Sequence, residues 1–242
     1  MSTLDDLRKK YEEITSKGKG GNSDFIKNFI NVEMGGEALI RILPNPSDEI
    51  PFYKEFSTHH WNGRNYACLR DKDQKCPVCE VYFALWKTGL DENIALARQL
   101  KARKKFWMNV VERSSDQVKI LSSGIKLFEN ILATILDEEY GPVYDLTEGF
   151  DYKIKKVKQG DWPDYSQSCP SRHQGPAGTD QDIDRYMGSL HDIHSMIKYP
   201  EYEEMERVAA EVLSKSSGIS TMDETPTSTE DSSVDLTKLL HD

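Results

Sequence analysis

Apolar residues occur in short runs along the chain, and their spacing switches several times between a helical and a strand-like period. At 3–15, Leu4, Leu7, Tyr11 and Ile14 fall at i, i+3, i+7 and i+10, which predicts a short amphipathic helix. The polar stretch SKGKGGNSD then reads as a linker. EALIRIL (37–43) predicts a strand, stopped by Pro44, Asn45 and Pro46. A second strand is predicted over 52–61, and Asn62 with Gly63 supplies a hairpin turn into a return strand at 64–68. Pro77 suits the first turn of a helix reaching about 87 and closed by Gly89. A further helix is predicted over 91–104, then paired strands over 105–111 and 118–121. Ile125, Phe128, Ile131, Leu132 and Ile135 predict a packed helix over 125–136. The alternation at 150–158 predicts another strand, 160–180 reads as loop, and 181–198 and 202–213 read as peripheral helices. Short strands broken by helices place the chain in a mainly β, α+β class, with a small barrel carrying helical insertions.

Composition limits this picture in two ways. The chain has 242 residues, of which 37% are hydrophobic and 30% charged, a lean apolar content that suits one core domain with polar ends. Its net charge of −10 is unevenly distributed. Residues 201–242 hold eleven acidic and three basic side chains, whereas 52–110 holds eleven basic and six acidic ones. The middle is therefore basic and the end acidic, so the overall sign describes the tail and not the binding face. The expected division is an arm and linker at 1–22, a core at 23–200 with an insertion at about 59–88, and a helix with an acidic tail at 201–242. No run approaches the roughly 20 apolar residues that span a bilayer, and the first residues lack the apolar stretch of a secretory signal.

Candidate chemistry concentrates in HWNGRNYACLRDKDQKCPVC, where His60, Cys68, Cys76 and Cys79 lie within twenty residues. Thiolates and an imidazole this close suit a closed tetrahedral Zn²⁺ site, one structural ion per chain. The C-P-V-C turn lets two thiolates point at one ion. Neighbouring strand residues face opposite sides, so only one of His59 and His60 ligates. His60 is preferred because it directly precedes the Trp61–Asn62–Gly63 turn, with His59 the alternative. A redox C-x-x-C would want a βαβ setting that the pattern lacks. Four protein ligands leave no open position for a reactive water, so the metal's expected role is to fold the insertion.

Basic and aromatic residues interleave around this clasp. Trp61, Tyr66 and Trp86 lie near it; Arg103, Lys104, Lys105, Phe106 and Trp107 follow; Lys156, Trp162 and Tyr165 come later. A single-strand channel needs this mixture, because cations follow phosphates while ring faces stack on bases of any sequence. In a strand, one of Phe106 and Trp107 must face the core. Tyr82, Phe83 and Trp86, on the helix that follows the clasp, more often pack inward than meet a ligand.

Together, the segments GGEALIRILP, PFYKEFSTHHW, KCPVCE, KARKKFWMNVV and DYKIKKVKQGDWPDY resemble the single-stranded DNA-binding, helix-destabilising proteins of large tailed phages. The resemblance covers roughly residues 36–165, and the clasp is its most specific part. It implies an OB-like barrel whose zinc-bearing insertion flanks a positively charged cleft. By this resemblance Arg103 and Lys104 face phosphates, Trp107 or Phe106 stacks on bases with Trp162 and Tyr165, and Tyr66 lies near the cleft wall. It also implies a basic N-terminal arm for cooperative self-association and an acidic tail that recruits replication enzymes (polymerase, helicase loader, recombinase). Here the arm's Arg8, Lys9 and Lys10 are followed by Tyr11 and Glu12, not by Ser or Thr.

The expected function is sequence-nonspecific, non-enzymatic coating of single-stranded DNA in phage replication, recombination and repair, in the cytoplasm of the infected bacterium, with no membrane partner. The competing readings are a zinc-containing replication or transcription adaptor acting through protein contacts, a Mg²⁺-dependent nuclease, and an RNA binder.

Overall fold

The computed structural model describes residues 25–47, 49–160 and 162–219, without the side chains of 215–219. The expected arm helix at 3–15 and the acidic end after 219 lie outside the described residues. Nine strands are described: β1 Glu37–Ile42, β2 Tyr53–Trp61, β3 Arg64–Ala67, β4 Arg103–Glu112, β5 Gln117–Gly124, β6 Gly149–Lys155, β7 Val157–Gln159, β8 Trp162–Asp164 and β9 Cys169–Gly175. The helices are α1 Pro77–Lys87, α2 Asp91–Leu100, α3 Ile125–Leu136, α4 Asp180–Met187 and α5 Tyr202–Ile219. The chain is mixed α+β, with antiparallel pairing of β1 to β4 and β6, β2 to β3, β6 to β9 and β7 to β8.

The chain divides into two compact units, with the changes inside β2 (between Lys54 and Glu55), inside β4 (between Lys105 and Phe106), and after His194. In the first unit, β1 lies between β4 and β6, β9 adds to β6, and β5 pairs with β4. Among the described residues no pairing joins β5 to β9, so these strands form an open sheet and not the expected closed barrel. Ile40 and Ile42 from β1, Met108 and Val110 from β4, and Tyr152 and Ile154 from β6 share a core with Phe128 and Ile131 of α3. Burial of this alternating face removes apolar surface from water, the main favourable contribution to folding.

A charged side chain is buried inside this unit. Arg41 is 2% exposed, 3.5 Å from Asp151, and donates to the Gly175 carbonyl. Arg113 grips the same carboxylate with two hydrogen bonds of 2.6 and 3.0 Å. Gly149 is required beside it. A Cβ there would lie 2.3 Å from the Asp145 carbonyl oxygen and 2.9 Å from Arg41 Nη1.

The second unit is a β2–β3 hairpin packed with α1, α2 and α5. Asn62 and Gly63 take positive φ, 46° and 74°, as a two-residue hairpin turn demands. Pro77 occupies the first turn of α1, where its missing N–H leaves no bond unmade. Met205, Val208, Ala209 and Val212 form one stripe of α5 that enters the core of this unit. That helix is therefore a core element and not the peripheral one its sequence suggested.

Three further expectations are corrected. The helix at 91–104 ends at Leu100, because Lys101 is extended and Arg103–Lys105 belong to β4. The loop at 160–180 contains β8 and β9. The helix at 181–198 stops at Met187, where Gly188 closes it.

Candidate metal centre and nucleic-acid surface

Cys76 stands at the N-cap of α1 and Cys79 one turn on, so both thiols lie on the same side of the helix start. Cys68 enters from the end of the hairpin, its N–H bonded to the Ser57 carbonyl at 2.9 Å. The fourth group is His59 and not the preferred His60. The four donor atoms of His59, Cys68, Cys76 and Cys79 all lie within 4.8 Å of one another, and all four residues are buried. His60 faces outward and bonds to Asn65 Oδ1 across the hairpin at 3.0 Å. The reason is the period of two along β2: Trp61 enters the core, and His59 shares its face.

The donor set fits zinc. Zn–S bonds of about 2.3 Å and Zn–N bonds of about 2.0–2.1 Å at tetrahedral angles place S and N about 3.6 Å apart. His59 Nε2 lies 3.5 Å from both Cys76 Sγ and Cys79 Sγ, and Cys68 Sγ is 3.5 Å from Cys79 Sγ. His59 Nδ1 meets the Leu100 carbonyl at 2.7 Å, so Nδ1–H donates there and the Nε2 lone pair turns to the thiols. A partner of this kind fixes the tautomer and ring orientation of a zinc-bound histidine.

A metal ion has a proton to displace at His59 Nε2 before that nitrogen can ligate. Burial pulls the His59 pKa down, but hydrogen bonds with Cys68, Cys76 and the Leu100 carbonyl outweigh it and push it up to about 10. Hydrogen bonds from Cys68 and Cys79 hold the Cys76 thiol below its ordinary range, whereas hydrogen bonding with Cys68 and Cys76 and burial hold Cys79 above it. One thiol thus ionises readily and its charge resists a second ionisation. A divalent cation supplies the charge that lets all three serve as thiolates.

The residues expected to meet nucleic acid divide sharply. Trp61 is buried in the core of the second unit, and Phe106 stacks on Phe128 with centroids 3.9 Å apart, so neither ring offers a face to a base. These two are corrections, and both follow from strand alternation. Tyr66 is half-buried against the metal core. Trp86 is 46% exposed on α1. Arg103 and Lys104 are exposed, with Lys104 paired to Glu55, while burial, then the Arg103 charge, lowers the pKa of Lys105.

In the first unit Trp107 is half-buried. Its Nε1–H donates to Ser122 Oγ at 3.2 Å, and Phe29 meets its ring with centroids 5.1 Å apart. Lys156 donates to the Val32 carbonyl at 3.0 Å, and Tyr165 is half-buried against the core. Trp162 stands 67% exposed on the β7–β8 hairpin.

Residues 34–215, three quarters of the chain, match the model of the family described as gp32 DNA binding protein like. The chain belongs to this family. The match takes in all four metal-site residues, as well as Arg103–Trp107 and Trp162–Tyr165. Among curated proteins no relative matches. Two features of the gp32-like chain lie outside the predicted site residues. The Leu100 carbonyl is a backbone group and leaves no mark in sequence. Arg70 and Phe83, which meet in a cation–π contact, are signalled only as a cation and an aromatic near the clasp.

Proposed function

We propose that the chain is a sequence-nonspecific single-stranded DNA-binding protein, of the zinc-containing OB-like type found in tailed phages, that coats DNA in replication, recombination and repair without catalysis. The observation that carries this reading is the family match over residues 34–215 together with the buried Cys₃His cluster it contains. The open antiparallel sheet of the first unit is the part we assign to the OB-like fold.

The chain's own residues divide the work. His59, Cys68, Cys76 and Cys79 hold Zn²⁺, which crosslinks hairpin and α1 and so folds the second unit. Arg103, Lys104 and Lys105 place positive charge for phosphates. Trp86 and Trp162 present ring faces for bases, with Trp107 and Tyr165 half-open beside their cores. Only unstacked bases reach such faces, so binding pulls transiently opened duplex toward single strands by mass action. The acidic stretch after 201 is assigned to replication proteins (polymerase, helicase loader, recombinase), and the arm at 1–22 to self-association along the strand. The compartment is the cytoplasm of the infected bacterium. Among the described residues no helix is long and apolar enough to cross a membrane.

The test is the melting of an AT-rich duplex followed by absorbance with and without saturating protein at low salt. The reading predicts a melting temperature lowered by the protein, and no strand cleavage when Mg²⁺ is added. A raised melting temperature contradicts it.

A further inference from the structure

A cavity of about 500 Å³ opens beside the metal cluster within the second unit. One wall is a stripe of α1, where Cys79, Glu80 and Phe83 follow at i, i+1 and i+4. The other is the turn at 70–75, which brings Arg70, Asp73 and Lys75. Phe83 is 44% exposed, although the opposite face of α1 fills the core with Val78, Val81 and Leu85. Its ring is held in place: Tyr82 meets it at 65° with centroids 4.9 Å apart, and the Arg70 guanidinium carbon lies 5.4 Å from its centroid. Lys104 and Arg185 each pair with carboxylates. Among the described residues neither Arg70 nor Lys75 forms such an ion pair.

We propose that this cavity is a nucleotide subsite, in which one base of a single strand packs against Phe83 and Arg70 while the adjoining phosphate is met by Arg70 and Lys75. This deepens the single-strand reading and rests on it. The volume lies within the range of about 300–1,000 Å³ typical of small-ligand sites. Aromatic rings and guanidinium planes are the two surfaces on which unstacked bases settle. Arg70 is already ordered over the ring, so little side-chain freedom remains to be lost when a strand arrives. Glu80 and Asp73 at the rim offer acceptors to base N–H groups. The subsite lies on the metal-folded unit, so its walls depend on the same helix start that carries Cys76 and Cys79.

The test uses the full-length, zinc-loaded protein and fluorescein-labelled oligo-dT, with zinc per chain measured for every variant. Phe83→Ala and Phe83→Leu are each expected to lower affinity about tenfold, as loss of one stacked base does, whereas Phe83→Trp keeps it. Arg70→Ala and Lys75→Ala are expected to flatten the slope of log K against log salt by about 0.7 per lost phosphate contact, a change the Phe83 variants do not share. Oligonucleotides carrying 5-iodo-deoxyuridine are expected to photocrosslink within residues 70–86 of the wild-type chain. Unaltered affinity and slope in all variants, with crosslinks only elsewhere, would overturn the subsite while leaving single-strand binding intact. Wild-type protein that fails to bind oligo-dT would overturn the single-strand reading itself. Wild-type protein that binds a synthetic 220–242 peptide, with that binding lost in Arg70→Ala while oligo-dT binding is unchanged, would overturn the subsite in favour of a protein contact.

Discussion

At the scale of single residues, the choice between His59 and His60 turns on one fact about strands. Trp61 is large and apolar, it enters the core, and a period of two then turns His59 inward and His60 out. The same rule is legible in the sequence, where the face of Trp61 and not the Asn62–Gly63 turn decides which histidine points inward. His59→Ala is expected to leave the protein with little or no bound zinc, and His60→Ala to keep one ion per chain, as metal analysis of dialysed protein would show. Equal zinc in the two variants would contradict the assignment. Gly149 makes a second residue-scale prediction. A Cβ 2.3 Å from the Asp145 carbonyl and 2.6 Å from that of Val143 forces backbone to move. Gly149→Ala is expected to cost at least about 1–3 kcal/mol, measured as a shift in the urea midpoint with the slope unchanged.

At the scale of elements, legibility followed burial. Helices α1 and α3 and strands β1 and β2 carry strong apolar periods, and their sequence boundaries stand within a residue or two of the observed ones. Strand β9 could not be read, because CPSRHQG has a largely exposed pattern and is held by backbone pairing to β6. Helix α5 was legible as a helix but not as core, since its partner stripe on α1 is far away in sequence. That packing makes a prediction about the metal. The thiols and α5 share one buried cluster, so removing the ion is expected to raise amide exchange across 205–213 as well as 76–81. Protection in 205–213 that survives chelation would contradict the coupling.

The β4–β5 hairpin adds a pH dependence. Burial opposes ionisation of Glu112, but hydrogen bonds from Lys119 at 2.7 Å and Ser115 at 2.6 Å outweigh it and lower its pKa. A carboxyl whose folded pKa is depressed contributes stability above its unfolded value, near 4.5, and loses it as pH falls through the folded value. Glu112→Gln is therefore expected to be less stable at neutral pH and to show a shallower loss of stability below about pH 4.5, followed by urea titrations across that range.

At the scale of the whole molecule, the clasp and the family pattern were legible because metal ligands must lie close together and their spacing survives in sequence. The division of aromatics between core and surface was not, since Phe106 and Trp107 are chemically alike and only the three-dimensional register separates them. The account now assigns single-strand contact to a smaller set of rings, led by Trp86 and Trp162, and to a basic middle segment whose charge the acidic end conceals in the total. Competition between single-stranded and duplex DNA tests this most directly. Zinc-loaded protein would be titrated with labelled oligo-dT while its tryptophan fluorescence is followed, then challenged with unlabelled single strand or duplex of equal length. The account predicts quenching on binding, affinity that falls steeply with salt, and displacement by single strand at far lower concentration than by duplex. Unquenched tryptophan, or displacement by duplex at the same concentration as by single strand, would contradict it.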